Sequence, residues 1–115
     1  MHVTRIAEAL PYDAPGHFQV AGRRLQGREF GGSQRFWTAL SHFLPGGGAE
    51  ASASALERTY VVLSGEMTLI ANGREVILGP LDSVHLEGGD SRELINRSNL
   101  PATMLVVMEY PEPTP

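Results

Sequence analysis

Four histidines, at positions 2, 17, 42 and 85, are the side chains of this sequence that ionise near neutral pH. His2 lies at the N-terminus and His17 in a Pro/Gly turn, "DAPGH". His42 and His85 fall in runs that read as strands, where an imidazole can move a proton. Glu57 is a candidate general base, on condition that burial raises its pKa. Arg58 and Tyr60 are in phase on one strand, so the phenol can donate to an oxyanion beside the guanidinium. Trp37 and Phe43 offer an aromatic wall for a ligand; the more ordinary reading is packing or a dimer face. His85 and Glu87 share a face of another strand. Residues 23–35 carry four arginines, Arg23, Arg24, Arg28 and Arg35, and read as solvated surface.

Composition removes several chemistries. The 115 residues contain no cysteine, which excludes disulfides, thiolate nucleophiles and Cys-ligated zinc. All nine basic residues are Arg, so Schiff-base chemistry and a P-loop lysine are excluded too. A net charge of −4 argues against a nucleic-acid partner, though a pocket can be locally positive in an acidic protein. No stretch reaches the ~20 apolar residues of a membrane-spanning helix, and the N-terminus has no apolar leader. The expectation is a cytoplasmic protein with no membrane or nucleic-acid partner. The length suits a single domain, 1–115, with a core barrel over about 18–110 and a loosely held tail at 111–115.

The elements that must position these groups are strands. Runs at 18–26, 35–44, 59–65, 66–71, 74–79, 82–86, 91–98 and 102–110 are short, rich in β-branched and aromatic residues, and bounded by Gly, Pro, Asn or Asp. Asn72–Gly73 between two of them is the strongest hairpin signal in the chain. Residues 4–10 offer a brief helix that Pro11 must end. Residues 45–56, "PGGGAEASASAL", read as a loop. The spacing predicts an all-β antiparallel sandwich or barrel. On 36–44 one face carries Phe36, Thr38, Leu40, His42 and Leu44, the other Trp37, Ala39, Ser41 and Phe43. Both are partly apolar, so one lines the barrel and the other meets a second sheet or subunit, and a homodimer is expected.

The stretch from about 42 to 108 resembles a small single-domain cupin, an antiparallel β-barrel of the jelly-roll class. The resemblance rests on "PGGG", "YVVLSGE", the Asn–Gly hairpin, "GPLDSVHLEGG", Asn96 and "PATMLVVM" in that order, about 60% of the chain. The cupin pattern implies a transition-metal site of three His and one Glu. Here those positions are filled otherwise. Counting back from Gly65 puts Arg58 at the Glu position, with Glu57 one place before it. Ser52 and Ser54, or Ala51 and Ala53, stand for the paired His. Glu87 stands for the motif Pro and Arg92 for the last His, while Gly89 and Asn96 are in place. A metal would therefore have to use an unorthodox set, His42, Glu57 and His85.

In that register Arg92 points into the barrel mouth with Leu94 and Asn96 on the same face. Replacing a ligating His by Arg exchanges one fixed positive centre for another, with a donor fork suited to a carboxylate. The bland alternative is an internal ion pair of Arg92 with Glu57 or Glu87. The leading expectation is a cupin without a metal or other cofactor that binds a small anionic or oxygenated organic molecule through Arg92, Arg58, Tyr60, Trp37 and Asn96. His42 or Glu57 would move a proton, in an isomerase, cyclase, dehydratase or decarboxylase. A non-catalytic binding or sensing module and a metal-dependent cupin are the alternatives, and fold alone does not choose among them.

Overall fold

Strands form where apolar and polar residues alternate, and the pairing between them decides what faces inward. The computed structural model describes residues 1–111, so the expected loose tail lies, apart from Pro111, outside the described residues. The strands are β1 (Pro11–Tyr12), β2 (His17–Gln26), β3 (Phe36–Ala53), β4 (Arg58–Ser64), β5 (Met67–Ala71), β6 (Arg74–Leu78), β7 (Ser83–Leu86), β8 (Ser91–Ile95) and β9 (Ala102–Glu109). The helix expected at 4–10 shrinks to one 3-10 turn, Ile6–Glu8. It lacks a side-chain cap, and Pro11 already belongs to β1.

The strand order is β6-β5-β8-β3-β9-β4-β7, with β2 added on β3 and β1 on β2, all pairs antiparallel. The result is a nearly closed all-β barrel of the jelly-roll kind. Asn72 and Gly73, both at positive φ (52° and 72°), turn β5 into β6 as the sequence predicts.

The segment expected to be a loop, 45–56, departs from that reading. β3 runs on through Pro45–Gly48 to Ala53 and changes partner on the way. Residues 36–43 pair with β9, and 48–53 pair with β8. Glycine is a poor strand former, which is why the run reads as a loop. The bare backbone is what the crossing needs: a Cβ on Gly48 would sit 2.1 Å from Leu94 O, and one on Gly47 2.3 Å from Gln19 O. One strand thus pairs with both β9 and β8, and the core inside the barrel gathers Phe43, Val62, Met67, Leu94 and Met104, all essentially without solvent exposure. No helix among the described residues is long and apolar enough to cross a membrane.

Candidate functional site

The phase of β3 settles which face looks inward. Ala39, Ser41 and Phe43 are buried with Trp37 packed against the core, so Thr38, Leu40 and His42 face outward. His42, the candidate proton carrier on this strand, therefore lies on the outer face, away from the barrel interior, where its Nδ1 shares a 3.0 Å hydrogen bond with Thr103 Oγ1. Glu57 and His85 are also outside. Their side chains are 61% and 48% exposed, and His85 Nε2 donates to Glu57 Oε1 at 2.7 Å. The burial that Glu57 would need as a base is absent. His42 does not join this pair. It stands opposite Thr103, whereas His85 reaches β9 at Val107 through Thr59, four residues or about 13 Å further along the strand. The unorthodox metal set His42, Glu57 and His85 is thus scattered over the outer surface. Among the described residues no group of three or more His, Cys, Asp or Glu could hold a metal ion. With serines and arginines at the motif positions, the donor set does not fit a transition metal.

The two arginines expected to share the pocket have different fates. Arg58 is 2% exposed and its guanidinium is consumed by backbone carbonyls. Nη1 donates to Leu56 O (3.0 Å), Glu87 O (3.2 Å) and, weakly, Ser54 O (3.5 Å), and Nη2 to Asp90 O (2.7 Å). It ties the loop before β4 to the turn between β7 and β8, and leaves no fork for a ligand. Asn96 is likewise structural. Its Nδ2 donates to the carbonyls of Phe43, Leu44 and Leu100, and its Oδ1 accepts from the backbone N and the hydroxyl of Ser98. A fully buried amide with every bond assigned to backbone or neighbour is a clamp on the β3 crossing rather than a binding group.

Arg92 remains. With Tyr60 and Trp37 it lines a cavity of about 330 Å³ whose floor is Leu94, Met104 and Val106. Its Nε donates to Tyr60 Oη at 3.1 Å and its Nη1 to Glu50 O at 2.9 Å. Both acceptors are neutral. Among the described residues no carboxylate pairs with it, since the ion pairs are Arg24–Glu29, His85–Glu57 and Arg97–Glu75. The internal pair with Glu57 or Glu87 is therefore not formed. Nη2 donates to none of the described residues, and the Tyr60 hydroxyl, already accepting from Arg92, keeps its own hydrogen for another acceptor. The wall thus offers two adjacent donors on and beside a guanidinium that has no ion-pair partner among the described residues.

The rest of the cavity comes from the N-terminal segment. Tyr12, Asp13 and His17 line it together with the β-barrel residues. Strand pairing puts them there: Tyr12 lies opposite Gly22, and His17 opposite Ala49. Between them Pro15 and Gly16 (φ 72°) occupy the centre of a type II turn closed by His17 N donating to Ala14 O. His17 Nδ1 lies 3.0 Å from Pro15 O. A carbonyl only accepts, so Nδ1 carries the proton and Nε2 is left with a free lone pair. Burial first, and the Arg92 charge after it, hold His17 below the usual imidazole range, against the opposing effect of the Pro15 bond. Burial, and then the neighbouring Tyr60, push the Tyr12 phenol up, with Arg92 and Arg24 opposing. His17 is thus a neutral imidazole at pH 7 in the wall that Arg92 makes positive. The sequence singles out neither His17 nor Asp13 as a site residue; the "APGH" turn was the one available signal.

Known proteins similar to this chain agree with the geometry of the barrel. The cupin-domain family model matches residues 39–108. The chain belongs to the cupin family. A protein of Mycobacterium tuberculosis named beta-D-galactosidase Rv1717 is 46% identical to this cupin over 96% of both chains. Among solved structures, the polyketide cyclase RemF of Streptomyces resistomycificus superposes with a TM-score of 0.84 at 21% identity, covering 99% of this chain and 82% of the other. A predicted oxalate decarboxylase of Thermotoga maritima gives a TM-score of 0.79 at 21% identity, covering 96% and 100%. These structural likenesses speak to the fold alone.

Proposed function

We propose that this cupin takes one sugar ring of a β-galactoside in the cavity beside Arg92 and cleaves the glycosidic bond with its own acid–base groups. The observation that carries the reading is Arg92 itself: a charged donor in the cavity wall whose protein partners are all neutral, with Nη2 left over. A volume of about 330 Å³ is at the small end of ligand sites, enough for one ring and not for a polycycle. The name of the mycobacterial relative, alike over almost the whole of both chains, supplies the substrate class.

Each group has a role its environment supports. Water attacks the anomeric carbon while the bond to the leaving oxygen breaks and takes the electron pair with it. His17 Nε2 accepts the proton that the water loses. Arg92 Nη2 and the Tyr60 hydroxyl donate to the oxygen that gains charge, the largest single contribution to such a step. The Asp13 carboxylate, in the same wall, balances the positive charge that develops on the sugar ring. The protonated His17 then returns its proton to the departing oxygen. The same groups favour a second reading, because a guanidinium without an ion-pair partner prefers an anion. Under it the ligand is a small organic acid, and His17 moves a proton in an isomerisation, cyclisation, dehydration or decarboxylation.

Turnover of an aryl β-D-galactoside by the purified chain separates the two. The first reading expects hydrolysis that falls about a hundredfold or more in Arg92→Met and in His17→Gln. Absence of both turnover and galactoside binding, with thermal stabilisation by organic acids that Arg92→Met abolishes, would move the site to the second reading.

A further inference from the structure

A second cavity, of about 170 Å³, meets the first at Tyr12 and Trp37, which line both. Those two rings stand edge to face, 5.9 Å apart at 69°. Beyond them the second cavity is built by Arg24, Glu29, Phe30, Ala39 and Tyr110. Four of the chain's eight aromatic residues (Phe 4, Tyr 3, Trp 1) therefore surround one small space. Core packing does not account for them: of the four, Trp37 alone packs on the hydrophobic core.

The two charged groups that line this cavity pair with each other, whereas Arg92 has no ion-pair partner among the described residues. Arg24 Nη1 pairs with Glu29 Oε2 at 3.4 Å, and its guanidinium lies 5.4 Å from the Phe30 ring centre. The Tyr110 hydroxyl accepts from Arg28 N at 2.9 Å, and the Arg28 guanidinium covers that ring at 4.2 Å. What the cavity offers is ring faces and edges, with Ala39 leaving room between them. An apolar space of roughly 150 Å³ accommodates one benzene ring.

We infer that this second cavity is a subsite for a single uncharged aromatic ring, so that the molecule bound across the Tyr12–Trp37 junction is an aryl glycoside. The sugar half of that statement rests on the function proposed above; the aromatic half does not. Trp37 is the sole tryptophan and lines both cavities, so its fluorescence reports binding in either.

The test titrates the full chain with phenyl β-D-galactopyranoside, methyl β-D-galactopyranoside and 4-methylphenol, in wild type, Phe30→Ala and Tyr110→Leu. Phe30 lies in the turn closed by the Gly27–Gly31 bridge, away from the core, so its truncation leaves the barrel intact. Burying a phenyl ring predicts that the phenyl galactoside binds about tenfold or more tighter than the methyl one, and that Phe30→Ala narrows the gap to about threefold with methyl binding unchanged. Equal affinity of the two galactosides in wild type, or a gap untouched by both variants, overturns the inference. If neither galactoside binds, the sugar reading fails and 4-methylphenol decides. Saturable quenching of Trp37 that weakens in both variants keeps the aromatic subsite, and no saturable quenching removes it.

Discussion

Replacing Arg58 and Arg92 in turn by Met separates a structural cation from a binding one. Methionine keeps the length and apolar stem of the side chain and deletes the donors. At Arg58 three carbonyls at 3.2 Å or less lose their partner in a position 2% exposed, and the bond at 3.5 Å is too long to count. Hydrogen bonds to a charged donor contribute ~1.5–3 kcal/mol each, which sets a ceiling well above what any single residue costs. Turn carbonyls recover part of this from water, and the costly burial of the guanidinium is removed, so a loss of about 3–5 kcal/mol is expected. For a domain near this size 1 kcal/mol moves Tm by roughly 4 °C, giving a fall of about 12–20 °C in a thermal melt. At Arg92 two bonds to neutral oxygens are lost, and with them a charge that has no ion-pair partner among the described residues. The net change there is within about 1 kcal/mol, while ligand-induced stabilisation vanishes. A melt of Arg58→Met within about 4 °C of wild type would refute the structural role of Arg58. An Arg92→Met variant that loses stability but keeps its ligand would refute the division of labour between them.

Four further outcomes follow from the same geometry. Under the proposed function, in which His17 is a neutral base held below the usual imidazole range, kcat/KM rises with pH through that lowered pKa, and His17→Gln removes this limb from the pH–rate profile. The same lowering means that the unfolded chain binds more protons than the folded one below about pH 6.5. The His17 contribution to stability is therefore complete above that pH and lost as the pH falls towards the folded pKa; melts of His17→Gln between pH 5 and 7 should show a weaker dependence than wild type. Asn96→Ala, which orphans the Phe43, Leu44 and Leu100 carbonyls at the β3 crossing, is expected to cost about 2–4 kcal/mol in chemical denaturation. Finally, Leu40, Val61 and Leu105 face outward on the layer that also carries His42, and a homodimer through this face is expected in light scattering, with Leu105→Glu shifting it to monomer.

What the sequence made legible was whatever depends on local spacing. The period of two, the Asn72–Gly73 turn and the order of the glycine and proline punctuation point to the barrel, and counting from Gly89 places Arg92 on the cavity wall. Phase put Tyr60 on the face of Arg58, and only the fold brings its hydroxyl to Arg92. Phase alone could not say which face of β3 is inner, because both faces of 36–44 are partly apolar; that choice is made by pairing with β9, and it carries His42 outward. Nor could spacing distinguish Arg58 from Arg92. Each replaces a ligating side chain in the family pattern, but Arg58 sits among loop carbonyls contributed by residues 54, 56, 87 and 90, which converge only in three dimensions. His17 was hidden for the same reason, since the β1–β2 pairing that brings the N-terminal strap over the mouth leaves no periodic trace.

The position of that strap bears on how substrate choice is encoded. The family model begins at residue 39, so it contains Arg92, Tyr60 and the apolar floor but none of Tyr12, Asp13, His17 or Trp37. The matched part thus supplies the barrel and the Arg92 guanidinium on its cavity wall. The preceding residues supply the neutral imidazole, the carboxylate and the aromatic junction, which under the proposed function set what chemistry Arg92 assists and what shape fits beside it. Structural neighbours at about a fifth identity therefore constrain the substrate little even where they superpose on the strap, since residue identity there is what matters. A relative 46% identical over 96% of the chain is aligned across the strap as well as the barrel, and is the better guide. Grafting is the direct check: exchanging residues 11–19 with those of a cupin of different ligand, while keeping Arg92 and Tyr60, should transfer ligand preference and leave the fold in place. If preference stays with the barrel half, His17 and Asp13 are bystanders and the proton must be moved by another group.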